Sequence, residues 1–195
     1  MKAVICDALG QLDQLSYKSV PDPVPGAEDL LVGVEAAGLN FFDLLLIQGK
    51  YQIHLDPPFT PGAECAGRVL AVGNNVSGWK VGDRAIFSGV FGAFAEKIAA
   101  HHSKATPFPE LISMEVAAAF MGTYGTSYHG LKQRGHLRPG ETLLVTGAAG
   151  GVGLAAVEIG KFMGAKVIAA ASSSKKLAVA QEAGADHVID YSRED

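Results

Sequence analysis

The run Gly147-Ala148-Ala149-Gly150-Gly151-Val152-Gly153 constrains this chain more than any other segment. It lies between an apolar, strand-like stretch at 142–146 and an amphipathic, helix-like stretch at 154–163. At the end of a strand, glycines permit a tight turn and a close approach of backbone to pyrophosphate. The helix that follows offers free N–H groups and a positive dipole end to the phosphates. Strand, turn and helix in that order separate a dinucleotide site from a chance glycine cluster. Helical spacing puts Val152, Ala156, Ile159 and Met163 on one face, and Gly164 is placed to end the helix. A second apolar strand follows at 167–171. The competing reading of the same residues is a Gly-rich turn in an α/β protein that binds nothing.

The acidic residue expected about 20 positions past the glycines, where it would bond a ribose 2′-hydroxyl, is missing. After Ala171 the chain reads Ser172-Ser173-Ser174-Lys175-Lys176. A carboxylate there would repel a 2′-phosphate, whereas hydroxyls and an ammonium group can bind one. NADPH is therefore favoured over NADH. Ser174 is also placed to N-cap the next helix, and the lysines can simply be solvated.

With 195 residues the chain can hold one large or two small domains. Apolar residues make up 48 % and 24 residues are glycine, which suits a turn-rich α/β chain. The formal charge is −4, and no basic cluster is large enough for nucleic acid. No apolar run reaches membrane-spanning length, and Met1-Lys2-Ala3-Val4-Ile5-Cys6 leads directly into a strand. Cys6 and Cys65 lie far apart, as free thiols do in a reducing compartment. The expectation is a cytoplasmic protein.

Composition changes near residue 120. The first part, 1–120, reads as short strands at 2–6, 12–20, 30–37, 63–72, 84–87 and 93–99. Turn signals such as Pro21-Asp22-Pro23, Pro25-Gly26 and Val81-Gly82-Asp83 separate them, predicting a small antiparallel, barrel-like domain. Ser113 is placed to cap a short helix through Phe120, and a longer helix at 126–134 closes at Gly135. The second part, 121–195, then alternates: strand 142–147, helix 151–163, strand 166–171, helix 174–183, strand 187–190. The fold class expected is α/β with a β-rich N-terminal part.

These segments together resemble the medium-chain dehydrogenase/reductase superfamily, and within it the zinc-free quinone oxidoreductase branch to which zeta-crystallin belongs. The matching segments are Ala37-Gly38-Leu39-Asn40-Phe41-Phe42-Asp43, Pro58-Phe59-Thr60-Pro61-Gly62-Ala63-Glu64, Val81-Gly82-Asp83-Arg84, Gly122-Thr123-Tyr124-Gly125-Thr126 and the glycine run. They cover nearly the whole chain in the expected order. The resemblance implies a GroES-like barrel followed by a Rossmann-type parallel sheet.

Zinc alcohol dehydrogenases of the same superfamily carry a cysteine where this chain has Asn40, and a histidine where it has Ala63. The cysteine-rich lobe for a structural zinc is also missing between Asp83 and Glu96. Zinc needs three or four S, N or O ligands converging on one point. The histidines, His54, His101, His102, His129, His136 and His187, show no ligand spacing, and adjacent His101 and His102 would point to opposite faces of a strand. No metal site is expected.

Without metal, the chemistry falls to the nicotinamide, which gives hydride to a quinone or to the β-carbon of an activated alkene. The resemblance implies that Asn40, Asp43 and Tyr51 line the substrate and nicotinamide side, and that Thr126 helps hold the nicotinamide. A tyrosine there can donate to the carbonyl oxygen as charge develops. Tyr51 equally reads as a surface residue of a loop, and Asp43 as a helix cap or an orienter of Asn40 rather than a base. At the cofactor end, the resemblance sets Gly150, Gly151, Val152 and Gly153 against the pyrophosphate. It sets Ser172, Ser173, Lys176 and Tyr191 around the 2′-phosphate and adenine. Some relatives carry a tyrosine where Leu45 stands, so no particular quinone specificity carries over.

A doubly wound dinucleotide fold orders its strands 3-2-1-4-5-6. The chain supplies strands 1 to 3 and stops at Asp195, so the expected Rossmann sheet is incomplete and the chain reads as a fragment. On that reading the fragment alone is poorly stable and nearly inactive. The whole protein is expected to act on a small-molecule quinone or enone as a homodimer, with a non-catalytic, crystallin-like NADPH-binding protein as the other reading.

Overall fold

The computed structural model describes residues 1–193. The chain divides into two compact units, Met1–Gly122 and Thr123–Asp195. The first is built on an antiparallel five-stranded sheet ordered β6-β3-β4-β5-β7. Its strands are β3 (Asp29–Gly38), β4 (Glu64–Val72), β5 (Arg84–Ser88), β6 (Lys97–His101) and β7 (Ala105–Pro107). A separate hairpin pairs β1 (Lys2–Cys6) with β2 (Leu15–Ser19). Single bridges tie β1 to Ala95 and Phe59. Leu30, Val32, Cys65, Val69, Ala85, Phe87 and Ile98 form the core of the five-stranded sheet. A fully buried valine or leucine contributes about 1.5–3 kcal/mol, so burial of this cluster stabilises the unit.

Two short helices complete the first unit. Helix α1 (Phe41–Ile47) begins at Asn40, and α2 (Met114–Ala118) is capped by Ser113, whose Oγ accepts from the Val116 N–H at 3.3 Å. Residues 12–14, expected to be strand, form a 3₁₀ turn ahead of β2. The expected strand at 93–99 forms later, at 97–101, because Ala93 to Glu96 hold the chain through isolated backbone bonds to Gly62, Pro61, Val34 and Lys2.

A π-helical turn, Met121–Gly125, runs across the boundary, and the second unit continues through α3 (Thr126–Tyr128) into another, His129–Arg134. It then alternates β8 (Thr142–Thr146), α4 (Gly151–Phe162), β9 (Lys166–Ala171), α5 (Ser174–Glu182) and β10 (His187–Asp190). The strands are parallel and ordered β10-β9-β8. Val145, Ala148, Val157, Val167, Ala169 and Ala180 form the core between sheet and helices.

One expectation needs correction here. The stripe Val152, Ala156, Ile159, Met163 is not the buried face of α4, since Val152 is 47 % exposed while Val157 and Gly160 are buried. Small residues win because they let the helix approach the sheet. Strand β8 is the sheet's edge among the described residues and Leu144 is 56 % exposed, as expected of a sheet that holds strands 1 to 3.

The glycine packing yields a differential prediction. In Gly153→Ala the new methyl would sit 2.4 Å from the Gly147 carbonyl oxygen and 2.8 Å from the Ala148 Cα. Backbone cannot swing aside, so overpacking of about 1–3 kcal/mol should outweigh the gain of about 1 kcal/mol in helix propensity. In Gly160→Ala the nearest atom is Leu143 Cδ2 at 2.7 Å, a side-chain end that can move, and the loss should be smaller. Urea denaturation with an unchanged m-value measures both. Equal losses at the two positions would contradict this account.

Candidate functional site

In the second unit, β8 ends at Thr146 and Gly147 turns the chain with φ +60°. The Gly150 N–H closes this turn on the Gly147 carbonyl at 3.0 Å, and Ala148 is buried with its N–H on the Ala170 carbonyl. Gly150 is the N-cap of α4 and brings no side chain to it. The first bond inside the helix runs from the Leu154 N–H to the Gly150 carbonyl at 2.8 Å. The N–H groups of Gly151, Val152 and Gly153 therefore precede the helical ladder, and this end of the dipole is positive.

Beside this turn is a cavity of about 290 Å³ lined by Gly147, Ala149, Gly150, Ala171, Lys176 and Tyr191. Lys176 Nζ donates to Ser172 Oγ at 3.2 Å. The structure thus brings Gly150, Lys176 and Tyr191 onto one cavity and links Ser172 to it. Strand β9 ends at Ala171 without a carboxylate. Ser173, not Ser174, caps α5: its Oγ faces the Lys176 N–H at 3.5 Å. Thr126 is exposed and does not line this cavity. Its neighbour Ser127, which sequence reasoning missed, is buried and donates from Oγ to the Val152 carbonyl at 2.8 Å, fixing the first turn of α4. A serine between Thr126 and Tyr128, in a stretch of mostly polar residues and glycines, carries no signal of that role.

The first unit holds a second polar group. Asn40 stands at the N-cap of α1 with extended backbone, and its N–H donates to Asp43 Oδ2 at 2.8 Å. Asp43 is fully buried. Burial pushes its carboxyl above the usual range, and the nearby Glu64 carboxyl adds to the rise; the Asn40 and Ala63 N–H groups oppose it. The Ala63 N–H does so without closing a regular hydrogen bond on Oδ1.

Glu64, also missed, opens β4 at 2 % exposure. Its Oε1 accepts from Asn40 Nδ2 at 2.8 Å and its Oε2 from the Gly122 N–H at 2.8 Å. The residue stands in the segment Pro61-Gly62-Ala63-Glu64, and its faint signal is a charged residue at the head of a largely apolar strand. Tyr51 is half-buried rather than free on the surface. Its ring lies 5.2 Å from that of Phe42 and packs on the cluster of Cys6, Leu46, Ile47 and Phe59. Among the described residues, no group of three or more His, Cys, Asp or Glu side chains converges as metal ligands do.

Comparison with known proteins bears on both groups. Residues 26–110 match the alcohol dehydrogenase GroES-like domain, and residues 151–195 match the zinc-binding dehydrogenase family. The chain is 40 % identical over 195 residues to a quinone oxidoreductase-like protein 2 homolog of Nematostella vectensis, covering 99 % of this chain and 53 % of that protein. Among solved structures, the Escherichia coli quinone oxidoreductase complexed with NADPH superposes with a TM-score of 0.95 at 33 % identity, covering all of this chain and 60 % of that one. A Pseudomonas syringae quinone oxidoreductase superposes at 0.94 with 38 % identity and the same coverage. The chain spans about half the length of the curated relatives it matches. Its first unit is a GroES-like domain, its second carries a Rossmann-type sheet, and the chain belongs to the quinone oxidoreductase branch of the medium-chain dehydrogenase/reductase superfamily.

Proposed function

We propose that this chain forms part of an NADPH-dependent oxidoreductase that passes hydride to a quinone or an α,β-unsaturated carbonyl without a metal ion. One observation carries the cofactor assignment: the cavity beside the glycine turn presents Lys176 and, through it, Ser172, at a strand end that lacks a carboxylate. An ammonium group and hydroxyls suit a 2′-phosphate, and a carboxylate would exclude it. The E. coli neighbour's NADPH comes to this chain on that ground.

The residues fit the cofactor. The Gly151, Val152 and Gly153 N–H groups and the α4 dipole meet the pyrophosphate, as glycine turns at helix N-termini do. Lys176, Ser172 and Tyr191 take the 2′-phosphate and adenine. Ser173 acts through the α5 N-cap, holding the turn that carries Lys176. Thr126 is assigned to the nicotinamide. When bound, NADPH supplies the hydride.

On the substrate side, Asn40 and Tyr51 are hydrogen-bond donors suited to a carbonyl oxygen on which negative charge develops. Asp43 is fully buried at the start of α1. Its Oδ2 already accepts the Asn40 N–H, so its part is to hold the start of α1. Asn40 and Ala63 stand where zinc relatives carry ligands, and the Asn40 amide donates to Glu64, which argues for a donor-based site.

Three measurements on the whole protein test this reading. Lys176→Ala should weaken NADPH binding by about 1.5–3 kcal/mol, roughly 10- to 150-fold, and barely affect NADH. Equal affinity of the parent for both cofactors would reject the assignment. Elemental analysis should find no stoichiometric zinc, and chelators should leave activity intact; one zinc per chain with chelator-sensitive turnover would overturn metal independence. Finally, NADPH oxidation screened against quinones and enones should show turnover, falling about 100-fold in Tyr51→Phe if its hydroxyl stabilises the transition state. Cofactor binding with no turnover of either class would favour the non-catalytic reading.

A further inference from the structure

Glu64 is an unusual residue to bury. It is 2 % exposed, and none of the ion pairs among the described residues includes it. The backbone is cut back to admit it: a Cβ on Gly122 would lie 2.8 Å from Oε1, and one on Gly38 would lie 2.8 Å from Cγ. Burying a carboxyl with only neutral donors costs free energy that an apolar side chain would avoid. What Glu64 does provide is two acceptor oxygens, one on the Gly122 N–H and one on Asn40 Nδ2.

That chemistry fixes the Asn40 side chain. An asparagine amide has a donor end and an acceptor end of nearly equal size, and only its partners decide which way it turns. A carboxylate offers acceptors alone, so the amide must give Glu64 its nitrogen. The second N–H of Nδ2 and the Oδ1 are then set in place, with Oδ1 beside Gly122.

We propose that Glu64 is a positioning residue: it locks the Asn40 amide in one orientation, so that its second N–H is held as a donor for the substrate's carbonyl oxygen. The proposal deepens the function proposed above and rests on it for the identity of the substrate.

A double-mutant cycle in the whole protein tests this. In Glu64→Gln the amide oxygen must face the Gly122 N–H, which can only donate, so the amide nitrogen takes the place of the oxygen that Asn40 Nδ2 meets, and the Asn40 amide must turn to present Oδ1. Turnover of the accepted quinone or enone should fall about 100-fold, with KM for NADPH unchanged. Asn40→Ala should fall by a similar factor, and the double variant no further. Losses that multiply would overturn the proposal, because a merely structural Glu64 acts independently of Asn40. Glu64→Asp, shorter but still acceptor-only, should retain more turnover than Glu64→Gln, and decides the matter if Glu64→Gln does not fold.

A second readout needs no turnover. In ¹⁵N–¹H spectra the Asn40 side-chain amide, identified by its loss in Asn40→Asp, should show one exchange-protected proton, and Glu64→Gln should abolish that protection while unfolding stays cooperative. An Asn40 amide unaffected by Glu64→Gln would overturn the positioning role. If the parent reduces neither quinones nor enones, the function proposed above fails, and this spectrum alone decides whether Glu64 holds the amide.

Discussion

A carboxyl group taken out of water must be met by donors, and in the first unit this requirement gathers three distant segments. Glu64 stands at the head of β4, Asn40 at the start of α1, and Gly122 follows α2. Its bonds at 2.8 Å to each span 24 and 58 positions of sequence. Leaving a buried acceptor unmet costs about 1–3 kcal/mol. The ends of the strand, the helix cap and the segment after α2 are therefore held to one another by more than apolar packing. The same capping position carries Asn40 N–H to Asp43, so the start of α1 and the candidate substrate-side residues are one construction.

The second unit solves a different problem. A parallel sheet needs crossover helices lying close on its face, and a phosphate site needs backbone without side chains at the first strand's end. Glycine serves both. Gly147 supplies the turn with positive φ, while Gly153 lets the first turn of α4 lie against the Gly147 carbonyl and Ala148. Further along, Gly160 brings α4 down onto Leu143 and Val167. The residues that aim N–H groups at a ligand are thus placed by the contacts that build the core.

Much of this was legible from residue types alone. Glycine and proline punctuation marked the strands of the first unit, and β8-α4-β9-α5-β10 followed from apolar runs separated by glycines. What escaped had physical reasons. Helix α1 reads Phe-Phe-Asp-Leu-Leu-Leu-Ile, apolar nearly all round, so no polar face announces its period. Strand β7 is three residues long and ends on Pro107, too short for alternation to register. In α4 the sheet-facing stripe is made of small residues, and a ranking by hydrophobicity selects the wrong face. Ser173 displaced Ser174 as the α5 cap because three serines in a row leave the phase open until β9 ends at Ala171. Glu64 carried only the faint signal of a charge at the head of a largely apolar strand, and an isolated charge ordinarily reads as surface.

The pairing of Asn40 with Ala63 carries a consequence for the electrostatics of the substrate side. Thiolate and imidazole ligands would place a divalent cation next to these carboxyls, and a cation there would favour their charged forms. This donor set is different: an amide and two backbone N–H groups, with no basic side chain bonded to Asp43 or Glu64 among the described residues. Without an opposing charge, burial controls Asp43 and drives its carboxyl upward, with Glu64 adding to the rise. Neutral donors can satisfy oxygens but cannot polarise a substrate as strongly as a metal ion. Under the function proposed above, a site so built suits an acceptor that needs little activation, such as a quinone or a conjugated carbonyl. In such a site rate depends on how well its few donors are aimed, which makes the orientation of one amide a controlling variable.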